Sequence, residues 1–139
     1  MTASSKSTFD QALERYQQGA PAEELIDDFI ELTRQSPHQS SAWTCLAWLQ
    51  LLLNRPLDAL QTSKKAVRLN PQDPQARVNL SLAMLDSGAK GVRTQIEVIK
   101  RFMALSPELS GELRASMTDG LKRRPDWKAI QKVMAWLSD

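Results

Sequence analysis

Residues 41–71, SAWTCLAWLQLLLNRPLDALQTSKKAVRLNP, decide how the rest of the chain is read. The stretch predicts two amphipathic helices, separated at Asn54-Arg55-Pro56 and closed by Asn70-Pro71. Trp43 opens the first helix, and Leu46 and Ala47 follow one turn later. Ala59 and Ala66 lie in the second helix. Small residues at Ala47, Ala59 and Ala66 let two antiparallel backbones approach closely, while Trp43 and Leu46 fill the remaining space. Pro71 then ends the second helix, because it has no N–H to donate and pushes the residue before it out of the helical region.

In this order the residues resemble a tetratricopeptide (TPR) repeat. Three positions depart from that pattern: Gln50 stands where the family usually has tyrosine, Asn54 where it has glycine, and Ser63 where it prefers an aromatic. Period is the better test, since self-similarity at a fixed spacing is the signature of stacked repeats. Pro37 and Pro71 are 34 residues apart, which is the TPR period. One period back, Phe9, Tyr16 and Phe29 occupy the family's aromatic positions, with Leu32 before Pro37. One period forward, Leu80, Met84 and Gly88 fit a first helix, and Leu105 and Pro107 fit the end of a second. Pro107 lies 36 residues after Pro71, so two residues are inserted in the turn at 87–91, and Gln95 replaces a small alanine. The resemblance implies an all-α fold, a right-handed TPR-like solenoid of helical hairpins with about eight helices. It implies a single domain over residues 1–139, with repeats at about 5–37, 38–71 and 72–107. A C-terminal capping hairpin over 108–139 closes it.

The whole chain, 139 residues with 42% hydrophobic and 24% charged, has the balance of a globular protein with a real core. Cys45 is the only cysteine, which excludes an intramolecular disulfide and a cysteine-cluster metal site. The longest apolar run, Leu51-Leu52-Leu53, is far too short for a transmembrane segment. Residues 1–8 contain no apolar stretch of the secretory kind, so a cytoplasmic protein is expected. Charge is uneven. Residues 1–37 carry three bases against seven acids, a net −4, and residues 38–139 carry 15 bases against nine acids, a net +6.

Ser4 to Ser7 can supply a cap and Thr8 with Gln11 a capping box for a helix running to about Gln18, and Pro21 suits the first position of the next. Asp27, Asp28 and Glu31 line one face of that second helix without a partner for acid–base chemistry, so they read as a solvated face. His38, the only histidine, falls in a turn with no converging partner, and Cys45 falls in the most apolar helix as a small buried hydrophobe. Lys64, Lys65 and Arg68 suit the negative end of their helix. Asp73-Pro74 and Ser106-Pro107 each read as an N-cap followed by a first-turn proline, with the third hairpin over about Pro74–Asp86 and Thr94–Leu105. Leu109, Leu113, Met117 and Leu121, four apart, form one stripe, which Lys122-Arg123-Arg124-Pro125 breaks. Trp127, Ile130, Met134 and Leu137 form the last. Terminal units of a stack must cover an otherwise open apolar face.

No nucleophile–base pair, phosphate-cradling glycine loop or metal-ligand spacing occurs, so no catalytic residue, metal or cofactor is expected. The chemistry left is recognition. In the TPR family the first helices of successive repeats line a concave groove for a partner peptide or helix. Carried onto this chain, the groove positions are Asp10, Glu14, Gln17 and Gln18 in the first repeat, and Thr44, Trp48, Leu51 and Leu52 in the second. The third repeat supplies Gln75, Val78, Leu82 and Leu85. Members that bind chaperone C-termini carry a basic clamp there. Asp10 and Glu14 have the wrong sign for it and Asn79 alone matches, which rejects that partner class.

The expected site is therefore an apolar groove at Thr44, Trp48, Leu51, Leu52, Val78, Leu82 and Leu85, filled either by a partner helix or by the chain's own last helix with Trp127 and Trp136. An adaptor, scaffold or assembly factor is what the resemblance implies. The alternative is an anionic surface or nucleic acid meeting a basic patch at Lys122, Arg123, Arg124, Lys128 and Lys132. The small net charge and the single interleaved aromatic argue against it. An incompletely capped end would instead favour self-association.

Overall fold

The computed structural model describes residues 7–138. These residues form eight helices and no strand: α1 (Thr8–Gln17), α2 (Ala22–Gln35), α3 (Ser40–Leu52), α4 (Pro56–Leu69), α5 (Pro74–Ser87), α6 (Val92–Leu105), α7 (Pro107–Arg123) and α8 (Lys128–Ser138). Each helix packs on the next in sequence. In addition α3 packs on α5, and α8 returns to touch both α5 and α6.

The helix starts follow the capping chemistry, with small shifts of register. Ser7, the last residue of the stretch expected to supply a cap, caps α1, its Oγ accepting from the Asp10 N–H at 3.1 Å. Asp73 accepts from the Gln75 N–H at 3.0 Å, and Ser106 accepts from the Leu109 N–H at 3.1 Å. Pro56, Pro74 and Pro107 open α4, α5 and α7, where a missing N–H costs nothing. Pro21 instead stands just outside α2 in an extended conformation. α6 begins at Val92, two residues before the expected Thr94, directly after Gly91 in the left-handed conformation.

The three positions that depart from the repeat pattern are each accommodated differently. Asn54 takes the left-handed conformation at φ +56°, which asparagine tolerates better than most residues. The Asn54 and Arg55 N–H groups then donate to the carbonyls of Leu51 (3.0 Å) and Gln50 (2.8 Å), closing the end of α3. Ser63 is fully buried and donates to the Ala59 carbonyl at 2.7 Å, so a small side chain lets α4 sit close where an aromatic would hold it away. Gln50 is buried with Oε1 lacking a hydrogen-bond partner.

α3 is the centre of the molecule. Thr44, Leu46, Ala47, Trp48, Leu49, Gln50 and Leu51 are all buried, so the helix is covered on nearly every side and has no polar face. One apolar cluster joins α1, α2 and one flank of α3 through Leu25, Phe29, Leu46 and Leu49, with Phe9 edge-on to Phe29 at 5.9 Å. The second cluster joins the other flank of α3 to α4–α8 through Trp48, Leu51, Leu82, Met117, Trp127 and Val133. Ala47, Ala59 and Ala66 are fully buried, as close approach of α3 and α4 demands.

α7 reaches α3 at one glycine. A Cβ placed on Gly120 would stand 2.6 Å from Cζ2 of Trp48 and 3.2 Å from Cδ1 of Ile130. The indole cannot yield freely, because its Nε1 is hydrogen-bonded to Tyr16 and its ring lies against Trp127 at 5.6 Å. Gly120→Ala gains about 1 kcal/mol of helix propensity but overpacks a rigid contact, which costs about 1–3 kcal/mol. The expected net effect is a loss of up to about 2 kcal/mol. Gly111→Ala on the same helix meets nothing within 4 Å and is expected to stabilise by about 1 kcal/mol. Urea unfolding of the two variants checks the contrast.

Candidate functional site

Of the two occupants expected at the seven groove positions, the chain's own C-terminal helices are the ones that cover them. Leu51, Val78 and Leu82 are wholly buried, Thr44 and Trp48 nearly so, and Leu52 and Leu85 are half-buried. Their cover is the chain's own C-terminal pair: Leu113 and Met117 of α7, and Ile130, Val133 and Leu137 of α8. Trp127, in the turn before α8, is completely buried and lies on Trp48 with the rings tilted by 48°. The other tryptophan expected there, Trp136, remains 37% exposed. Burying this much aliphatic and indole surface is worth several kcal/mol, so the occupied groove is core rather than a free surface.

The expected basic patch is also divided. Lys122, Lys128 and Lys132 are exposed. Arg123 and Arg124 turn inward and hold the hairpin in place. The Arg123 guanidinium donates from Nη2 to the Tyr16 carbonyl (2.7 Å) and from Nη1 to the Ala20 carbonyl (2.9 Å) at the end of α1. It also donates from Nε to Asp119 (3.0 Å) and stacks 3.8 Å above the Tyr16 ring. Arg124 does the same for α3, donating from Nη1 to the Leu51 carbonyl (2.8 Å) and Asp86 (3.1 Å), and from Nη2 to Asn54 (3.1 Å). Its guanidinium lies 4.7 Å over Trp127, whose Nε1 donates to the same Asp86 oxygen at 3.0 Å. Two adjacent arginines thus satisfy carbonyls at the negative C-terminal ends of two helices.

Where α7 crosses α3 it leaves part of that helix's surface uncovered. A cleft of about 530 Å³ remains between α1, α3 and the C-terminal half of α7. Its apolar walls are Leu13, Phe29, Trp48, Leu49 and Ala115, and of the seven expected groove positions Thr44 and Trp48 belong to it. At one end a polar relay closes it: Trp48 Nε1 donates to the Tyr16 hydroxyl (2.8 Å), which donates to Asp119 (2.6 Å). Burial, and then the hydrogen bond to Asp119, push the Tyr16 phenol above its ordinary pKa. The folded chain therefore holds this proton more tightly than the unfolded chain. The stabilisation is complete at neutral pH and is lost as pH rises past about 10.

Cys45 also lines the cleft, and burial, helped by the negative charge of Asp73, pushes its thiol up to about 12. It is protonated at neutral pH, which removes its nucleophilic form. Among the described residues no group of three or more His, Cys, Asp and Glu side chains is arranged to hold a metal ion, and no helix is long and apolar enough to cross a membrane. Asn79, the one clamp-like residue, is buried and spends its amide between α3 and α5, donating to the Thr44 carbonyl at 2.9 Å.

The lining residues Leu13, Tyr16, Ala115 and Asp119 were not expected from the sequence. Tyr16 carries the readable signal, an aromatic with a polar tip at the end of an amphipathic helix. Asp119 lies two residues from Met117 and Leu121, off their apolar stripe, and no local sequence signal marks it. Comparison with protein-family models found no match, and comparison with curated proteins found none either.

Two measurements test this site. The side chains of Arg124 and Asp86 are 18% and 12% exposed, so Arg124→Ala strands a carboxylate in a mostly dry place. The expected loss is about 2 kcal/mol, reduced from the fully buried case by the remaining water, whereas Lys128→Ala changes stability by less than about 0.5 kcal/mol. Alkylation of Cys45 by iodoacetamide at pH 8 is expected to run at least about tenfold slower in the folded protein than in urea.

Proposed function

We propose that this protein is a non-catalytic protein–protein interaction module of the TPR type, a right-handed stack of helical hairpins serving as an adaptor, scaffold or assembly factor. Support comes from the 34-residue spacing of Pro37 and Pro71, from helices that pack in sequence order, and from small buried residues at Ala47, Ala59 and Ala66. The single observation that carries the binding role is the apolar cleft of about 530 Å³ on the face where the first helices of the hairpins meet α7. A volume of that size takes a few side chains of a partner segment. In this proposal the partner segment docks beside α7, not in the part of the groove that α7 and α8 fill.

The anionic-surface alternative loses its two best residues. With Arg123 and Arg124 committed to backbone carbonyls, Asp119 and Asp86, the patch reduces to Lys122, Lys128 and Lys132 without an exposed aromatic between them. Phosphate contacts from three lysines would be weak and steeply salt-dependent.

The test uses Ala115→Trp, which grows a large side chain from an exposed wall position into the cleft. It leaves the core untouched and costs about 0.5 kcal/mol of helix propensity. Wild type and variant, both shown to be folded by circular dichroism, are used side by side for affinity capture from the source lysate. A partner retained by wild type and depleted at least about tenfold on the variant supports the cleft. Equal retention by the folded variant removes the cleft as the binding surface.

A further inference from the structure

The charge around the cleft says what kind of segment fits it. α1 and α7 meet at their C-terminal ends, where Tyr16 meets Asp119 and Ala20, beyond the end of α1, meets Arg123. Both walls can therefore be followed toward their N-terminal ends. On α1, Asp10 stands one turn before the lining residue Leu13. On α7, Glu112 and Glu108 precede the lining residue Ser116 by four and eight residues, on the same stripe. All three acids are exposed, and none makes an ion pair within the described residues. Asp10 and Glu108 also suit the positive start of their helices, but Glu112 lies beyond the first turn and has no such local role. The one guanidinium in the wall, Arg123, is spent on two backbone carbonyls, Asp119 and the Tyr16 ring. Exposed carboxylates thus stand one to two turns beyond the cleft lining on both helices.

We propose that the occupant of this cleft is a basic amphipathic helix of a protein partner. It would set apolar side chains against Leu13, Phe29, Trp48 and Leu49, and Lys or Arg against Asp10, Glu108 and Glu112. The inference rests on the cleft being the binding site and adds the sign of the partner. Nucleic acid and peptides ending in a free carboxylate are repelled by the same carboxylates. Exposed ion pairs each contribute a few-fold in affinity, so three give about tenfold discrimination by charge. The apolar contacts supply the rest, and α7, which belongs to the chain's own C-terminal hairpin, supplies one of the two charged walls.

The experiment is a calorimetric titration of the full chain with four tryptophan-free helical peptides. Three share a leucine face and carry flanking Lys, Gln or Glu; the fourth keeps Lys but replaces the leucines by Ser. The Lys–Leu peptide is expected to bind about tenfold tighter than the Gln form, with the Glu form weakest. That advantage is expected to shrink at 0.5 M salt and to vanish in the double variant Glu108→Gln, Glu112→Gln. Equal binding of the Lys, Gln and Glu peptides overturns the charge inference and leaves the cleft standing. Equal binding of the leucine and serine forms, no binding at all, or binding that survives Ala115→Trp overturns both. Sedimentation of the protein alone over the same concentrations covers the remaining occupant. A dimer that the double variant abolishes assigns the cleft to a second copy and overturns the partner helix.

Discussion

The adjacent arginines Arg123 and Arg124 hold the C-terminal hairpin against the rest of the molecule. Each one reaches the carbonyl end of a different helix, Arg123 that of α1 and Arg124 that of α3, and each leans on an aromatic ring. A helix end leaves up to four carbonyls without a partner, and a planar guanidinium offers several donors in one fork. Placing two such forks at successive positions at the end of α7 fixes both the height and the rotation of that helix. Gly120, one turn earlier, then has to face Trp48, and only a residue without a side chain lets the backbone come that near. The buried contacts of Met117, Ile130 and Val133 follow from this placement.

α7 consequently does two things at once. Its Leu113 and Met117 belong to the core cluster that holds Trp48 and Leu82, and its Ala115, Ser116 and Asp119 form a wall of the cleft. The relay from Trp48 through the Tyr16 hydroxyl to Asp119 joins the two regions, because Trp48 is both core and lining. A change that lifts α7 by an ångström would alter the core and the cleft together.

Much of the helical plan could be read from the residues. The prolines at 56, 74 and 107, the caps at Asp73 and Ser106, and the small residues of α3 and α4 act locally, over one turn or between sequence neighbours, and they placed the helices to within a residue or two. The groove positions were harder. A stripe of Trp48, Leu51, Val78 and Leu82 has the same spacing whether it faces a partner or the chain's own α7 and α8, and only tertiary packing distinguishes them. The arginines were misleading for a related reason. Exposed arginines and arginines that cap distant helices look alike in sequence, since the carbonyls they bind lie more than 70 residues away. Asp119 and Gly120 take their partners Tyr16 and Trp48 from other helices, so neither role shows in the local sequence.

A plain array of hairpins has contacts only between neighbours, so its two ends are energetically remote and either can fray alone. Here the bonds from Arg123 to the carbonyls of Tyr16 and Ala20 span 107 and 103 residues and tie the last hairpin to the first helix. The array is closed on itself. Closing so long a loop is entropically costly before its contacts form, which slows folding, and once formed it makes the loss of either end a loss for both. The chain is thereby expected to unfold as one cooperative unit despite being assembled from repeating parts.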